Sequence, residues 1–284
     1  MTGAEPRISV VVPVFNNDRY LGETLRRVLD QTAGDFEVVV CDQASTDTSA
    51  EVSASFRDPR IRIVTNAETK GAVPNWNRGM AEARGRYVKL LCADDLLYPA
   101  CLERQAAVLD DPANAGVSLV TAVHDVIDEE GKRIMARGFR KPGRMAGREA
   151  IRRVARSGSN LVGEPSGTMF RAEAYRAAGL WSESARYVVD LDMWVRLLLV
   201  GDLFVLGETL SAFRVQRGSW SNALTHTQTA DMRRLLDRMA ADPAYGVSRA
   251  DAALGAVGAW RDTQLRRLFY RVFLRGADLS RLGD

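Results

Sequence analysis

RISVVVPVFNNDRYLGETLRRVLDQTAGDFEVVVCD, residues 7–42, contains a complete strand–helix–strand pattern. Ile8–Val14 is a continuous apolar run of strand length, which is typical of a strand covered on both faces. Apolar residues then recur at helical spacing between Tyr20 and Gln31, and the run Phe36–Asp42 returns to strand character. The stretch therefore predicts a βαβ unit with a right-handed crossover.

The same alternation continues to residue 92. A capping-box pattern, Thr48 followed by Glu51, predicts a helix that runs through Phe56. The elements after it are predicted as strand Ile61–Thr65, a helix from Pro74 to Arg84 and strand Tyr87–Cys92. Together they predict an α/β fold with a doubly wound, mostly parallel sheet. Ligands bind beyond the carboxyl ends of such strands, where Asp42 and the pair Asp94–Asp95 follow apolar runs.

The rest of the chain predicts a second half of the same domain and then a helical tail. Residues 132–166 show no regular pattern apart from a short helix near Arg148–Arg156, and the chain is helical from Thr227 to its end. The other predicted elements are helix Leu102–Leu109, strand Val117–Val126, strand Thr168–Phe170, helix Ala172–Ala178, helix Leu191–Val200 and strand Leu203–Leu206. We expect one domain over residues 1–225, divided near residue 98, and a C-terminal helical segment over residues 226–284.

Composition excludes several classes of protein. The chain has 39 Lys and Arg against 36 Asp and Glu, a net charge of +3 that is too small to imply nucleic acid as the main partner. Its three cysteines form no CxxC pair, and with only two histidines no zinc site of ordinary spacing can be assembled. The sequence shows neither a secretion signal nor an apolar run long enough to span a membrane, so we expect a cytoplasmic protein.

Adjacent carboxylates stand directly after the fourth apolar strand. Asp94 and Asp95 repel each other and are poorly placed to be buried unless water, a base or a cation accompanies them. Hard oxygen ligands suit Mg²⁺ or Mn²⁺, which keeps open positions for phosphate oxygens. The alternative from these residues alone is a polar turn before Pro99, and the pattern does not decide between the two.

Four motifs in one order resemble a known family. SVVVPVFNN, VVCDQASTD, NWNRG and LLCADDLLYP are similar to the N-terminal half of family 2 glycosyltransferases of the GT-A fold, and the resemblance extends over about residues 7–215. It implies an inverting enzyme that transfers a sugar from a nucleotide diphosphate sugar to an acceptor hydroxyl. A UDP-, dTDP- or GDP-sugar would be the donor. A glycan, lipid or small molecule would be the acceptor, in bacterial-type glycan, glycolipid or glycosylated metabolite synthesis.

The resemblance assigns roles in the first, nucleotide-binding half. Asp42 would bond the base, Asp94 would hold Mn²⁺ or Mg²⁺, and Asp95 would assist through water or by holding the sugar. The base and ribose would lie against Pro13, Val14, Phe15 and Asn16. Cys41 and Cys92 stand where the family often has acids. Asp42 could instead be a plain strand-end residue that caps the next loop.

The second, acceptor-binding half contains the acid–base candidate. VDLDMWVR, residues 189–196, resembles the family segment in which Asp190 would be the catalytic base. A helix N-terminus would hold this carboxylate rigidly and would also tend to lower its pKa. An ordinary helix N-cap is the alternative. Asp192 would be structural or would contact the acceptor.

FRVQRGS, residues 213–219, resembles a family loop that binds metal and diphosphate. Gln216 occupies the position of a frequent His ligand and would bind either the metal or a phosphate. Arg214 and Arg217 would neutralise the diphosphate, with a solvated loop charge as the alternative for Arg217. Further acceptor or sugar contacts are expected from Glu164, Ser166 and Trp181, although single aromatics such as Trp76 and Trp181 are more often core, and no partner is evident for His124 or His226.

Two other functions fit parts of the pattern. A catalytically weak nucleotide-sugar-binding protein of the same fold would explain Cys41, Cys92 and Gln216. A nucleotide-sugar pyrophosphorylase usually has a Gly-rich loop after the first strand, where this chain has PVFNNDRY. The C-terminal segment contains an apolar stripe with arginines beside it. Such a stripe suits either binding to anionic lipid or packing onto the catalytic domain. The stripe consists of Leu265, Leu268, Phe269, Val272 and Phe273.

Overall fold

The predicted βαβ alternation is present in the computed structural model, which describes residues 5–139, 141–216 and 227–273, with side chains to residue 266. The first half consists of β1 (Ile8–Val14), α1 (Asp18–Leu29), β2 (Phe36–Asp42), α2 (Ser49–Ser55), β3 (Ile61–Thr65), α3 (Ala72–Glu82) and β4 (Tyr87–Leu90). Its strands lie in the order β3-β2-β1-β4, and every neighbouring pair is parallel. The doubly wound α/β prediction is confirmed.

The second half extends the same sheet with mixed strand directions. Its elements are β5 (Leu96–Leu97), α4 (Cys101–Asp110), β6 (Val117–Ile127), β7 (Arg133–Arg137), β8 (Gly143–Met145), α5 (Gly147–Ser157), β9 (Thr168–Arg171), α6 (Ala172–Ala178), α7 (Val189–Val200) and β10 (Asp202–Arg214). The order continues β4-β9-β6-β10-β5, where β9 is antiparallel to both neighbours and β6 is parallel to β10. Helices α8 (Gln228–Ala241) and α9 (Arg249–Phe273) follow.

Three local predictions differ from the structure. The Thr48 hydroxyl does not cap its helix but donates to Asp18 Oδ2 at 2.8 Å. The stretch predicted to be irregular contains β7 and β8, which are too short to show an alternating pattern. Strand β10 continues past Leu206 to Arg214 because register shifts on both sides of Thr209 accommodate an exposed, polar interruption. Phe213 and Arg214 therefore lie in a strand, whereas the sequence predicted a loop.

Helices cover both faces of the sheet. Val10 and Val12 of β1 pack in one apolar cluster with Leu21 and Leu25 of α1, whereas Val11 belongs to the cluster on the opposite face. This alternation explains the continuous apolar run of β1, because a strand with two covered faces needs no polar side chain. The opposite cluster includes residues of α3, α5, α6 and α7.

The C-terminal helix α9 packs on α5. Arg152 and Arg156 of α5 contact the Asp251 carboxylate at 3.0 and 2.9 Å. Gly255 and Gly258 lie so close to the α5 backbone that a Cβ at either position would collide with a carbonyl oxygen. The first part of α9 is thus attached to the catalytic domain. The two sequence alternatives concern the apolar stripe further along α9, of which only Leu265 has a described side chain, 58% exposed. Leu268, Phe269, Val272 and Phe273 lie outside the described side chains.

Among the described residues, the model has no helix with the length and apolar character needed to cross a bilayer.

Candidate active site

The carboxyl ends of β1 and β2 bring Asn16 and Asp42 together through Ser45. The Ser45 hydroxyl donates to Asp42 Oδ1, and the Asn16 backbone N–H donates to Ser45 Oγ at 3.0 Å. Asn16 has a positive φ of 46°, a conformation that asparagine tolerates better than most residues, and Phe15 beside it is 44% exposed. The residues predicted to meet the nucleotide thus form one polar edge, with Val14 directly opposite Asp42 in the sheet.

The NWNRG motif holds this edge to the rest of the domain. Asn75 Nδ2 donates to the Cys41 carbonyl at 2.9 Å. The Asn77 side chain forms two hydrogen bonds with the Trp181 backbone, at 3.0 and 3.1 Å. Gly79 approaches β1 and β2 so closely that a Cβ would collide with Val11. The two asparagines therefore fix the strand ends and connect the two halves of the domain.

Asp94 and Asp95 follow β4 and differ in their surroundings. Asp95 is 0% exposed, and its Oδ1 accepts the Arg214 backbone N–H at 3.0 Å. Within the described residues its other oxygen, Oδ2, has no hydrogen-bond donor. Burial and then the Asp94 charge raise the pKa of Asp95 well above its ordinary value. Burial also raises the pKa of Asp94, although Gln216 Nε2 donates to its Oδ2 at 2.6 Å and opposes the rise.

Asp95 is buried and Asp94 partly buried, and the raised pKa of each carboxyl shows that its charged form lacks full compensation, which a divalent cation would supply. Among the described residues, Asp95 Oδ2 accepts no hydrogen bond of ordinary geometry, and the nearby Ser166 hydroxyl only partly offsets the rise in the pKa of Asp95, so a divalent ion would supply the missing partner. Within the described ranges no three His, Cys, Asp or Glu side chains are grouped as metal ligands. The donor set therefore fits an ion such as Mg²⁺ or Mn²⁺ that takes its remaining ligands from phosphate and water.

The predicted ligand Gln216 instead directs its amide nitrogen at Asp94. It therefore supports the Asp94 carboxylate as a hydrogen-bond donor, whereas the sequence analysis proposed its amide oxygen as a metal ligand.

The guanidinium of Arg214 also has partners other than those predicted from the sequence. Its guanidinium is only 2% exposed and donates to the Asp94 carbonyl at 2.9 Å, the Glu23 carboxylate at 2.8 Å and the Glu129 carbonyl at 3.1 Å. It also lies 4.5 Å from the centre of the Tyr20 ring. With its donors engaged, Arg214 braces the acid loop and is not available to the diphosphate. Arg217 and His226 lie outside the described residues.

Asp190 lies in the first turn of α7, as predicted, and has a partner that the sequence did not reveal. Asn160 Nδ2 donates to its Oδ2 at 2.8 Å, and the Leu191 N–H lies 2.8 Å from its Oδ1. Burial and then the charge of Glu164 raise the pKa of Asp190 to about 7, against the opposing effect of the Leu191 N–H. The expected lowering at the helix N-terminus is thus outweighed, and the carboxylate is poised near neutral pH.

Glu164 lies against the side chain of a buried histidine. His124 Nε2 lies 2.5 Å from Glu164 Oε2, and His124 is 1% exposed. Burial acts to raise the pKa of Glu164, but His124 and then Arg137 lower it below its ordinary value. Ser166 is fully buried beside Asp95. The loop after α5 therefore places the Glu164 carboxylate, held by His124, near Asp190.

One cleft of about 180 Å³ connects the acid loop with the acid–base candidate. Asp94, Glu164 and Asp190 all line it, as predicted residues that the fold brings together. Several residues that the sequence did not single out for function also line it, because they approach from distant parts of the chain: Arg137, Asn160, Arg186, Asp262 and Arg266. No local sequence signal could have identified them.

For Asp192 and Trp181 the structure favours the structural alternative over the predicted contact with acceptor or sugar. Asp192 is 1% exposed and pairs with Arg196 at 2.9 Å and with Arg238. Trp181 is 3% exposed and packs edge-on between Trp76 and Trp194, with ring centres 5.1 and 5.5 Å away. Both therefore belong to the core that supports the cleft, because their neighbours leave no surface for a ligand.

The fold is similar to that of two proteins solved with nucleotide sugars. TarS 1–349 of S. aureus, solved with UDP-GlcNAc, aligns with a TM-score of 0.68 at 16% identity over 95% of this chain and 76% of that chain. The mannosyltransferase PcManGT of Pyrobaculum calidifontis, solved with GDP-Man and Mn²⁺, gives 0.62 at 18% identity over 97% and 82%. The chain spans only 40% of a longer TarS structure. At these identities the likeness shows the fold.

Sequence comparison supplies the family. Residues 9–179 match Glycosyl transferase family 2. The Mycobacterium tuberculosis protein MT1568 is 29% identical over 90% of this chain and 83% of its own length. EpsE of Bacillus subtilis, which is named as a glycosyltransferase, is 29% identical over 69% and 68%. The chain belongs to glycosyl transferase family 2, which confirms the predicted family and favours sugar transfer over the pyrophosphorylase alternative.

Proposed function

We propose that the chain is a metal-dependent, inverting glycosyltransferase that uses a nucleotide diphosphate sugar and takes Asp190 as its base. One observation carries the proposal: Asp94, beside the buried Asp95, and Asp190, with a pKa raised to about 7, line the same cleft. A cation site and a base of near-neutral pKa on one cleft are what inverting transfer requires.

The reaction follows from these groups. The Asp190 carboxylate accepts the proton of the acceptor hydroxyl while the hydroxyl oxygen forms a bond to the anomeric carbon of the donor. The bond from that carbon to the phosphate oxygen breaks, and its electron pair leaves with the nucleoside diphosphate. Asn160 orients the base by its 2.8 Å hydrogen bond. Asp94 and Asp95 would hold Mg²⁺ or Mn²⁺, which when bound neutralises charge on the leaving group.

The donor is proposed to be a UDP-, dTDP- or GDP-sugar. The solved relatives contain UDP-GlcNAc, UDP or GDP-Man, and this chain shares their fold. Asp42, Ser45 and Asn16 form the polar edge at which the base and ribose would lie. The Mn²⁺ of the mannosyltransferase complex supports a divalent cofactor here.

Donor turnover tests the proposal. Hydrolysis and transfer are measured for UDP-, dTDP- and GDP-sugars with Mn²⁺, with Mg²⁺ and after chelation. Metal-stimulated turnover with one donor is expected, and Asp94→Asn should abolish the stimulation. Tight nucleotide binding without turnover would point to the catalytically weak binding protein.

We also propose that the protein works in the cytoplasm, at the membrane surface. Leu254, Val257 and Trp260 on the outer face of α9 are 51, 67 and 59% exposed, and the exposed Arg249 and Arg261 accompany them. Arginines beside exposed leucine and tryptophan suit the interface of an anionic bilayer.

A further inference from the structure

Three arginines from separate elements stand at the cleft. Arg137 ends β7, Arg186 lies in the 3₁₀ turn Glu183–Val188, and Arg266 belongs to α9. All of them line the cleft that holds Asp94 and Asp190. Within the described part of the chain, the guanidinium groups of Arg137 and Arg186 form no hydrogen bond or ion pair.

Arg137 lowers the pKa of Glu164 and Arg266 lowers that of Asp190, but within the described residues neither carboxylate forms an ion pair with Arg137 or Arg186. Asp94 is bonded to Gln216, Glu164 lies against His124, and Asp190 accepts from Asn160. Unpaired guanidinium groups beside a cleft bind phosphate strongly, because their planar donors match its oxygens. The cleft therefore has an anion subsite on the Asp190 side, formed by residues that the transfer chemistry does not use.

An apolar groove of about 310 Å³ adjoins the cleft. Arg137, Phe213, Asp262 and Arg266 line both cavities, so the two are continuous. The remaining wall of the groove consists of Val126, Met135, Val215 and Leu265. Met135 is 42% and Leu265 58% exposed, so apolar side chains remain in contact with water at the groove.

From this arrangement we propose that the acceptor is an amphiphile, a hydroxyl-bearing group joined through a phosphate to a hydrocarbon chain. The hydroxyl meets Asp190, the phosphate meets Arg137 and its neighbours, and the chain lies in the apolar groove. Each methylene buried in such a groove favours binding about fourfold. The proposal rests on the proposed function, because only a transferase has an acceptor.

A phosphate at these arginines could also belong to the donor. The groove favours the acceptor, since a nucleotide sugar has no hydrocarbon chain to fill it. The polar edge formed by Asn16, Ser45 and Asp42 belongs to the loop after β1, the end of β2 and the loop after β2, and none of these three residues lines the cleft or the groove.

Calorimetry on the full chain tests the proposal with decyl phosphate, kept below its critical micelle concentration, as the probe. Inorganic phosphate and the neutral decyl maltoside are the matched ligands, and UDP and GDP with Mn²⁺ report the donor site. Decyl phosphate should bind at least about tenfold more tightly than either matched ligand, since only it satisfies both subsites. Equal binding of decyl phosphate and decyl maltoside would overturn the proposal, as would no binding of decyl phosphate.

Variants separate the two subsites and the two sources of phosphate. Arg137→Gln should weaken decyl phosphate about tenfold and leave the nucleotide unchanged, whereas Leu265→Ser should weaken decyl phosphate about tenfold and leave inorganic phosphate unchanged. The exposed residue Leu180 and the surface residue Arg57 give the control variants Leu180→Ser and Arg57→Gln, which should behave as wild type. If Arg137→Gln weakens the nucleotide as much as decyl phosphate, the anion subsite belongs to the donor and the proposal is wrong. Failure of both nucleotides to bind would count against the proposed function, while decyl phosphate still decides the subsite.

Discussion

Asn160 and Asp190 are joined by a hydrogen bond of 2.8 Å from Nδ2 to Oδ2, across thirty positions of sequence. The same amide nitrogen donates to the Gly163 carbonyl at 3.0 Å, and Asn160 Oδ1 accepts the Gly163 N–H at 3.0 Å. Both polar atoms of the Asn160 side-chain amide are thus bonded to the Gly163 backbone, which fixes the amide that donates to Asp190. This arrangement gives Asp190 a set orientation in a cleft where burial raises its pKa.

Replacement of the base should separate chemistry from donor binding. Asp190→Asn is expected to lower kcat by about 10² to 10⁴ while donor affinity stays nearly unchanged, because the base acts in the transition state. Asp42→Asn, measured beside it, should weaken nucleotide binding itself. Calorimetry with nucleoside diphosphate and Mn²⁺, together with turnover, makes the comparison. Near wild-type kcat in Asp190→Asn would show that Asp190 is a helix cap.

The pH profile of kcat should report the Asp190 environment. Turnover needs the ionised carboxylate, so kcat should fall as the pH drops below about 7. Glu164→Gln removes a neighbouring negative charge and should move this acidic limb to lower pH. Asn160→Ala removes a hydrogen bond that favours the charged form and should move it to higher pH. Shifts of both variants in one direction would contradict this assignment.

Stability should respond to the same carboxylate. The folded-state pKa of Asp190, about 7, lies above its ordinary value of 3.8, so its ionised form costs stability as the pH rises through this window and the cost is complete above pH 7. Asp190→Asn should therefore raise the free energy of unfolding at pH 8 by about 2 kcal/mol and have little effect near pH 4. Urea unfolding of both proteins at the two pH values measures the difference. A gain that is equal at both pH values would arise from packing instead.

The metal prediction concerns Asp94 and Gln216. Asp94→Asn should remove metal-stimulated turnover, and Gln216→His should strengthen Mn²⁺ binding because imidazole would add a ligand beside Asp94 where the amide nitrogen now donates to it. Manganese affinity followed by electron paramagnetic resonance in the presence of nucleoside diphosphate tests both. The exposed control Asp237→Asn should bind Mn²⁺ as wild type does. Unchanged turnover of Asp94→Asn in the presence of metal would remove this ligand assignment.

Membrane contact should depend on the outer face of α9. The chain is expected to co-sediment with anionic vesicles at low salt, and Val257→Ser with Trp260→Ser should reduce this binding about tenfold or more. Both side chains are more than half exposed, so the fold should tolerate the changes. Equal binding to neutral and anionic vesicles would argue against the role of Arg249 and Arg261.

Sequence alone predicted the parallel half of the sheet closely. The strand bounds Ile8–Val14, Phe36–Asp42 and Ile61–Thr65 coincide with those observed, because long apolar runs between turn residues have one interpretation in such a sheet. Strands β7 and β8 were missed because three to five residues at a sheet edge carry too little periodicity.

The site residues also fall into those that a local motif predicts and those whose roles depend on contacts between distant elements. Asp94, Glu164 and Asp190 were predicted from motifs, and the fold brings them to one cleft. The engagement of Arg214 with Glu23 and the pairing of His124 with Glu164 depend on contacts between distant elements, which a linear pattern does not contain. Helix periodicity also could not show that Asp192 is paired with arginines on two helices.

The glycines where α9 meets α5 determine how the cleft could diversify. Gly158, Gly255 and Gly258 bring the two backbones into direct contact, so the distance between α9 and α5 is limited by main-chain atoms, beside the pairing of Asp251 with Arg152 and Arg156. Asp262 and Arg266 can then be exchanged without changing this backbone contact, although loss of Arg266 would remove a charge that lowers the pKa of Asp190. Side chains on this wall of the cleft would then set its shape and charge, while the backbone contact sets the position of the wall itself.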